Sequence, residues 1–297
     1  MSWTPARTLA QTEAILCAPG HLHEVETILL DGRPQRVYKH LWPTVRAFWL
    51  SSVEKHANKT CIVFEGQRFT YNEVHQRAIK VAAVFRHVYG INKERADRLI
   101  PVADDILRDT TATGFLVFDN HEGSHRWPGM NSFPAIVEQY HEGIADILAA
   151  DPQILPEDNA AIMFTSGTTG LPKGVLSTQR QFLTNVFNVM VGGLRASLRK
   201  GEEYPDFKDD IPQKAILIAV PLFHVTGTTS FAMMATATGM KIVLTPKWVV
   251  EDVPAMVADL TGSSLPGHLL DGLLFGGSPA PDTLVPRARK AFPSAVM

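Results

Sequence analysis

A chain of 297 residues has room for one large domain or two ordinary ones with a sizeable core. Its 45% hydrophobic and 20% charged residues match a soluble globular protein. The formal net charge of −2 gives no overall attraction to nucleic acid or anionic lipid, so neither is an expected partner. Cys17 and Cys61 are too few for a disulfide framework or a zinc site and fit a reducing compartment. Met1 to Gly20 lacks the apolar core of a signal peptide. No run approaches the roughly 18 apolar residues that cross a bilayer. The longest candidate, Val225 to Leu244, is diluted by threonines and Lys241. A cytoplasmic protein without a membrane span is expected.

In chain order, Pro5, Pro19, Pro34 and Pro43 predict an irregular stretch over residues 1–45. A helix follows, with Pro43 in its first turn and Val45, Phe48, Trp49 and Val53 at helical spacing. Cys61–Phe64 and Arg68–Thr70 read as a hairpin across Glu65-Gly66-Gln67. Thr70 and Glu73 form a capping box for a helix whose Val74, Ala78, Val81, Ala82, Phe85 and Val88 should face inward, with Gly90 ending it. After a charged run, Phe115–Phe118 is strand-like. His121, His125 and Trp127 lie in a polar stretch without metal-ligand spacing, and Ile136 to Ala149 is predicted as one helix ended by Pro152 and Pro156.

Ile162 to Val175 stands apart. An apolar run breaks into Thr165-Ser166-Gly167-Thr168-Thr169-Gly170-Leu171-Pro172-Lys173-Gly174-Val175, which holds three glycines, four hydroxyl residues and one lysine. Free backbone N–H groups, hydroxyls and a cation in such a loop suit phosphate. With helix-compatible residues from about Ser177, the loop is expected between a strand and a helix. Gln179 to Val191 suits a helix, and the mixed charges of Arg195 to Lys214 suit a solvated excursion. Lys214–Val220 reads as a buried parallel strand, leading through Pro221–Gly227 into a helix over Thr228–Ala237 closed by Gly239. Lys241–Leu244 and Leu273–Phe275 read as strands, and Asp282–Ala291 as a last helix. Repeated strand, turn and helix units predict an α/β fold, its ligand-binding turns along one edge of a mainly parallel sheet.

The loop is not a Walker A motif, because Gly-Lys-Ser/Thr is absent. It closely resembles the AMP-binding signature of adenylate-forming enzymes, a superfamily that includes acyl-CoA synthetases, 4-coumarate-CoA-ligase-like enzymes, luciferases and peptide-synthetase adenylation domains. Pro221–Gly227 looks like that family's turn carrying a histidine beside the acyl pocket, and Leu274–Pro279 like its adenine-bordering segment. The resemblance implies activation of a carboxylic acid, fatty or aromatic, by ATP and Mg²⁺, followed by transfer to coenzyme A. It implies that Thr165, Ser166, Gly167, Thr168, Thr169 and Gly170 cradle phosphates while Lys173 adds charge. His224 would line the acid pocket, and Gly276, Gly277 and Ser278 would border adenine. No residue is assigned as a metal ligand.

Measured against that family, the chain stops at Met297, before the segments expected to carry the Mg²⁺-binding glutamate, the ribose-binding aspartate and the small C-terminal domain. Roughly fifty residues of βαβ structure are also missing after Gly90, and Trp248–Val257 joins regions that the family separates. The expected fold is therefore a partial large N-terminal domain over residues 1–297, mainly parallel sheets with flanking helices, in which thioester synthesis is impaired. The alternatives are a nucleotide- or partner-binding remnant without turnover and a peptide-synthetase-type adenylation domain.

Overall fold

The computed structural model describes residues 4–90, 116–117, 131–165, 170–204, 212–247, 249, 251, 271–272 and 282–295. The chain divides into two compact units, Met1–Pro246 and Lys247–Met297.

Residues 1–45 are more ordered than their prolines suggested. Helix α1 (Leu9–Leu16) starts at Thr8, whose hydroxyl accepts from the Gln11 N–H while the Gln11 side chain accepts from the Thr8 N–H. Strands β1 (Val25–Leu30) and β2 (Arg33–Tyr38) form an antiparallel hairpin. Asp31 and Gly32, with φ of 49° and 71°, supply the two left-handed residues that a tight primed turn requires. Pro34 is tolerated because it faces Leu29, one pair beyond the closing pair Leu30 and Arg33. Its missing N–H therefore points off the ribbon.

Helix α2 (Val45–His56) is capped by Thr44, which accepts from the Ala47 N–H at 3.0 Å. Pro43 thus precedes the cap instead of occupying the first turn. Strands β3 (Thr60–Phe64) and β4 (Gln67–Thr70) form the expected hairpin, and α3 (Tyr71–Ala83) opens on the expected capping box, with the Thr70 N–H 2.7 Å from Glu73 Oε2. A π-helical turn, Val84–Val88, continues it. The inward face of α3 is rotated from the predicted stripe. Tyr71, Ile79, Ala83 and Val84 are buried, whereas Ala78 and Val88 are exposed. The cause is Tyr71, whose hydroxyl donates to the Met240 carbonyl at 2.9 Å and fixes the rotation of the helix. Beside it Cys61 is buried, and burial pushes its thiol up to about 12, so it behaves as a small apolar residue.

Strands β5 (Leu116–Val117) and β6 (Asn131–Ser132) make a short parallel pair. The helix predicted over Ile136–Ala149 is two, α4 (Phe133–Gln139) and α5 (Ile144–Ala149), separated at Gly143, where φ is 59°. A Cβ there would lie 2.3 Å from the His87 ring, so the break is also a close packing point. Strands β7 (Asn159–Thr165) and β8 (Lys173–Thr178) pair antiparallel, and α6 (Gln179–Arg199) follows directly under a Thr178–Gln181 capping box. Helix α6 runs two turns past its predicted end, so Arg195 is helical and its Nε donates to Glu13 of α1 at 2.7 Å.

Strand β9 (Ala215–Leu217), a π-helical segment over Thr226–Met233, α7 (Met234–Thr238) and strand β10 (Lys241–Leu244) complete the larger unit. The sheet order is β4-β3-β10-β9. Strands β3, β10 and β9 are parallel and β4 is antiparallel at the edge. The architecture is the expected α/β arrangement of a partial domain, with a parallel sheet and flanking helices. In the smaller unit, α8 (Leu284–Ala291) matches the last predicted helix. Residues 273–281, like 91–115 and 118–130, lie outside the described residues.

The core gathers around α6. Leu183 and Val186 pack with Phe48 and Met233, and Val191 and Leu198 pack with Leu16. Phe187 lies 5.0 Å from the ring of His23 and 5.2 Å from that of Tyr38. His23 is 1% exposed and neither ring nitrogen has a hydrogen-bond partner among the described residues. Burial therefore holds its pKa below the ordinary value. With the folded pKa below the unfolded one, the unfolded chain binds the proton more tightly. The stability His23 contributes is present above an unfolded pKa of about 6.5 and is lost as pH falls toward the folded value. Thermal melts from about pH 8 to 5.5 should show this loss, at most about 1.4 kcal/mol per pH unit. His23→Phe should flatten it, although His75, held low by burial, contributes in the same direction.

Candidate active site

The described parts of the signature are Thr165, the last residue of β7, and Gly170–Val175, which lead into and open β8. The sequence suggested a strand entering a helix; here Lys173–Thr178 forms a strand before α6 begins. Val175 to Thr178 follow the glycines as extended residues, and Thr178 serves at once as the last strand position and the helix cap. Thr165 and Lys173 form the last described pair, and the Thr165 hydroxyl donates to the Lys173 carbonyl at 3.4 Å. Gly174 faces Phe164, and a Cβ there would lie 3.0 Å from Ile162 Cγ2, so the glycine leaves room for both side chains. Gly170 has φ of 153° and open space around it. Lys173 is exposed and makes no ion pair among the described residues. An exposed hydroxyl and an uncommitted ammonium at a loop mouth fit an anion. Ser166, Gly167, Thr168 and Thr169 lie outside the described residues, as do Gly276, Gly277 and Ser278.

The base of this hairpin is held by Gln179, the first residue of α6. It is buried; its Nε2 donates to the Asn159 carbonyl at 3.1 Å and its Oε1 accepts from the Val45 N–H at 2.9 Å. Arg180 adds an ion pair to Glu157 at 2.6 Å. Sequence reasoning missed Gln179, because a polar residue after a helix cap carries no sign of burial.

His224 sits in the turn before the π-helical segment. Its N–H donates to the Pro221 carbonyl at 3.0 Å, and its own carbonyl accepts from the Thr228 N–H at 3.1 Å. The Thr228 hydroxyl closes onto the Leu222 carbonyl. Gly227 is buried, and a Cβ there would lie 2.4 Å from the Pro221 oxygen, so no larger residue fits without moving the turn. The His224 Nδ1 accepts a hydrogen bond from the Thr226 N–H at 3.1 Å. A neutral imidazole that accepts at Nδ1 carries its proton at Nε2, so the outward nitrogen is a donor. Phe223 and Leu222 beside it are exposed.

Both turns are attached to α6. The hairpin enters it through Thr178, and Asn185 in its second turn donates to Thr229 Oγ1 at 2.7 Å and Ser230 Oγ at 3.1 Å in the π-helical segment. Among the described residues, no group of three or more His, Cys, Asp or Glu side chains could hold a metal ion, and no helix is long and apolar enough to cross a membrane.

Known proteins resemble this chain in sequence and in fold. Over 230 residues the chain is 30% identical to 4-coumarate-CoA ligase 2 of Narcissus pseudonarcissus, covering 76% of this chain and 34% of that protein. It is 30% identical over 150 residues to a 2-succinylbenzoate–CoA ligase of Bacillus licheniformis, covering 45% and 28% respectively. The chain thus spans about a third or less of these curated relatives. Its fold is that of the luciferase-like enzyme from the mealworm Zophobas morio, with a TM-score of 0.60 and 16% identity over 84% of this chain and 69% of that one. It is also that of o-succinylbenzoate CoA synthetase from Bacillus subtilis, with a TM-score of 0.54 and 21% identity over 84% and 56%. Residues 106–297 match the family model described as AMP-binding enzyme. The chain belongs to the AMP-binding enzyme family.

Proposed function

We propose that this chain carries part of the site of an ATP-dependent acid–CoA ligase. The observation that supports the reading most is the signature at Thr165–Val175, with Thr165 and Lys173 paired at the mouth of its hairpin. In the proposed reaction a carboxylate oxygen attacks the α-phosphorus of ATP. The bond to the bridging oxygen breaks, pyrophosphate leaves and an acyl-adenylate forms. The thiol of coenzyme A then attacks the acyl carbon, loses its proton and displaces AMP. A carboxylate is already ionised at neutral pH, so the first step needs no general base. It needs positioning and neutralisation of charge.

In this reading Thr165, Ser166, Gly167, Thr168, Thr169 and Gly170 surround the β- and γ-phosphates, and Lys173 neutralises the departing pyrophosphate. Mg²⁺, bound with the nucleotide, supplies further charge neutralisation. His224 offers its Nε2–H to a carboxylate oxygen, and Gly276, Gly277 and Ser278 border adenine. The substrate is an aromatic or fatty carboxylic acid; the relatives' names, coumarate and succinylbenzoate ligases, support the aromatic class. We place the reaction in the cytoplasm and read residues 1–297 as part of one AMP-binding N-terminal domain.

Exchange of labelled pyrophosphate into ATP tests the reading, with aromatic and fatty acids supplied in turn. Acid-dependent exchange is expected, with thioester formation impaired. ATP binding without exchange would instead indicate a nucleotide-binding remnant, and exchange driven by amino acids would indicate a peptide-synthetase-type adenylation domain. Lys173→Ala should weaken ATP binding at least about tenfold, the loss expected when a hydrogen bond to a charged group is removed. Gly227→Ala, which forces the turn away from the Pro221 carbonyl, should instead lower acid-dependent exchange while ATP binding, followed by calorimetry, stays near wild type.

A further inference from the structure

We propose that Asn185 is a positioning residue that fixes the outward nitrogen of His224 as a donor. Its effect passes through a hydrogen-bond relay between α6 and the π-helical segment. The Asn185 Nδ2 group donates to Thr229 Oγ1 at 2.7 Å, and Thr229 Oγ1 donates to the Val225 carbonyl at 2.7 Å. That carbonyl belongs to the same rigid peptide plane as the Thr226 N–H. The Thr226 N–H donates in turn to His224 Nδ1 at 3.1 Å. Holding the oxygen end of the plane therefore aims its N–H end at the imidazole.

The direction of each bond is determined. Thr229 is 2% exposed, and its one hydroxyl proton is committed to Val225, so its oxygen can only accept from Asn185. That commitment fixes the amide orientation as donor toward the π-helical segment, and the same Nδ2 group donates to Ser230 Oγ at 3.1 Å. Each link is oriented by the one before it, and chains of this kind strengthen their members. At the far end Nδ1 is occupied as an acceptor, which leaves the proton on Nε2. The consequence for substrate rests on the proposed reading of His224; the relay itself belongs to the protein without ligand. Since α6 begins where the signature hairpin ends, the same helix sets the base of the phosphate loop and the proton position on His224.

The test uses the full chain without ligand, its histidine rings labelled with nitrogen-15 and His224 assigned by the signal lost in His224→Gln. At about pH 8, above the ordinary imidazole range, the wild type should show His224 as the Nε2–H tautomer with Nδ1 shifted as an acceptor. Asn185→Leu removes the donor at nearly constant volume, and Thr229→Val removes the hydroxyl while keeping the branched shape. In each, the Nδ1–H fraction of His224 should rise several-fold toward that of a free imidazole, with native circular dichroism. Asn185→Leu leaves the Thr229 oxygen without its donor; should that variant unfold, Thr229→Val carries the test. An unmoved His224 signature in a folded variant, or an Nδ1–H tautomer in the wild type, overturns the proposal. A shifted signature without acid-dependent exchange keeps the relay and removes the proposed reaction. Exchange with an unmoved signature removes the relay alone.

Discussion

The burial of one helix, α6, is the constraint on which the larger unit depends. Leu183, Val186, Phe187, Val191 and Leu198 are each at most 2% exposed, and burying such side chains contributes about 1.5–3 kcal/mol apiece. Around them every neighbouring element finds a partner. Glu13 and Arg195 tie on α1, the Tyr38 hydroxyl reaches Asn188, and Arg7 donates to the Leu198 carbonyl at 2.9 Å. Exposed ion pairs of this kind add little by themselves. Their role is registry, because the apolar contacts beneath them have no direction.

The same helix holds the described ends of the signature hairpin and the exposed His224 turn. Turns bury little apolar surface and are drawn from the less stable end of a structure. Here the signature hairpin is fixed at its base by Gln179, and the His224 turn is fixed from behind by Asn185 and from within by Gly227. The rigid parts lie one step removed from the groups offered to solvent, an arrangement that lets a loop vary its contents while its position is kept.

Signals confined to a few neighbouring residues were legible in the sequence. Thr70 with Glu73, the β3–β4 hairpin, Gly239 after α7 and the AMP-binding signature all act over one turn or loop. Thr8 with Gln11 and Asp31-Gly32 are equally local, but the irregular stretch expected over residues 1–45 rested on the prolines alone. The rotation of α3 was not legible, because it is decided by a hydroxyl on Tyr71 meeting a carbonyl 169 residues away. The site divides in the same way. Thr165, Lys173 and His224 stand in recognisable stretches, whereas Gln179 and Asn185 act through tertiary hydrogen bonds that leave no local pattern.

The hairpin geometry gives a physical reason for the order of residues in the signature. Directly paired residues of antiparallel strands share a face, so Thr165 and Lys173 place a hydroxyl and an ammonium side by side at the mouth of the loop. Phe164 and Gly174 form the next pair and Ile162 and Leu176 the one two steps further, all on the opposite face, where the glycine makes room for the rings and branches around it. A shift of one residue in either strand would separate Lys173 from Thr165 and put it on the face of Phe164 and Ile162. The spacing from Thr165 to Lys173 is thus a matter of register. It keeps Thr165 and Lys173 together on the face that also carries Met163 and Val175, with Phe164, Ile162 and Leu176 on the other.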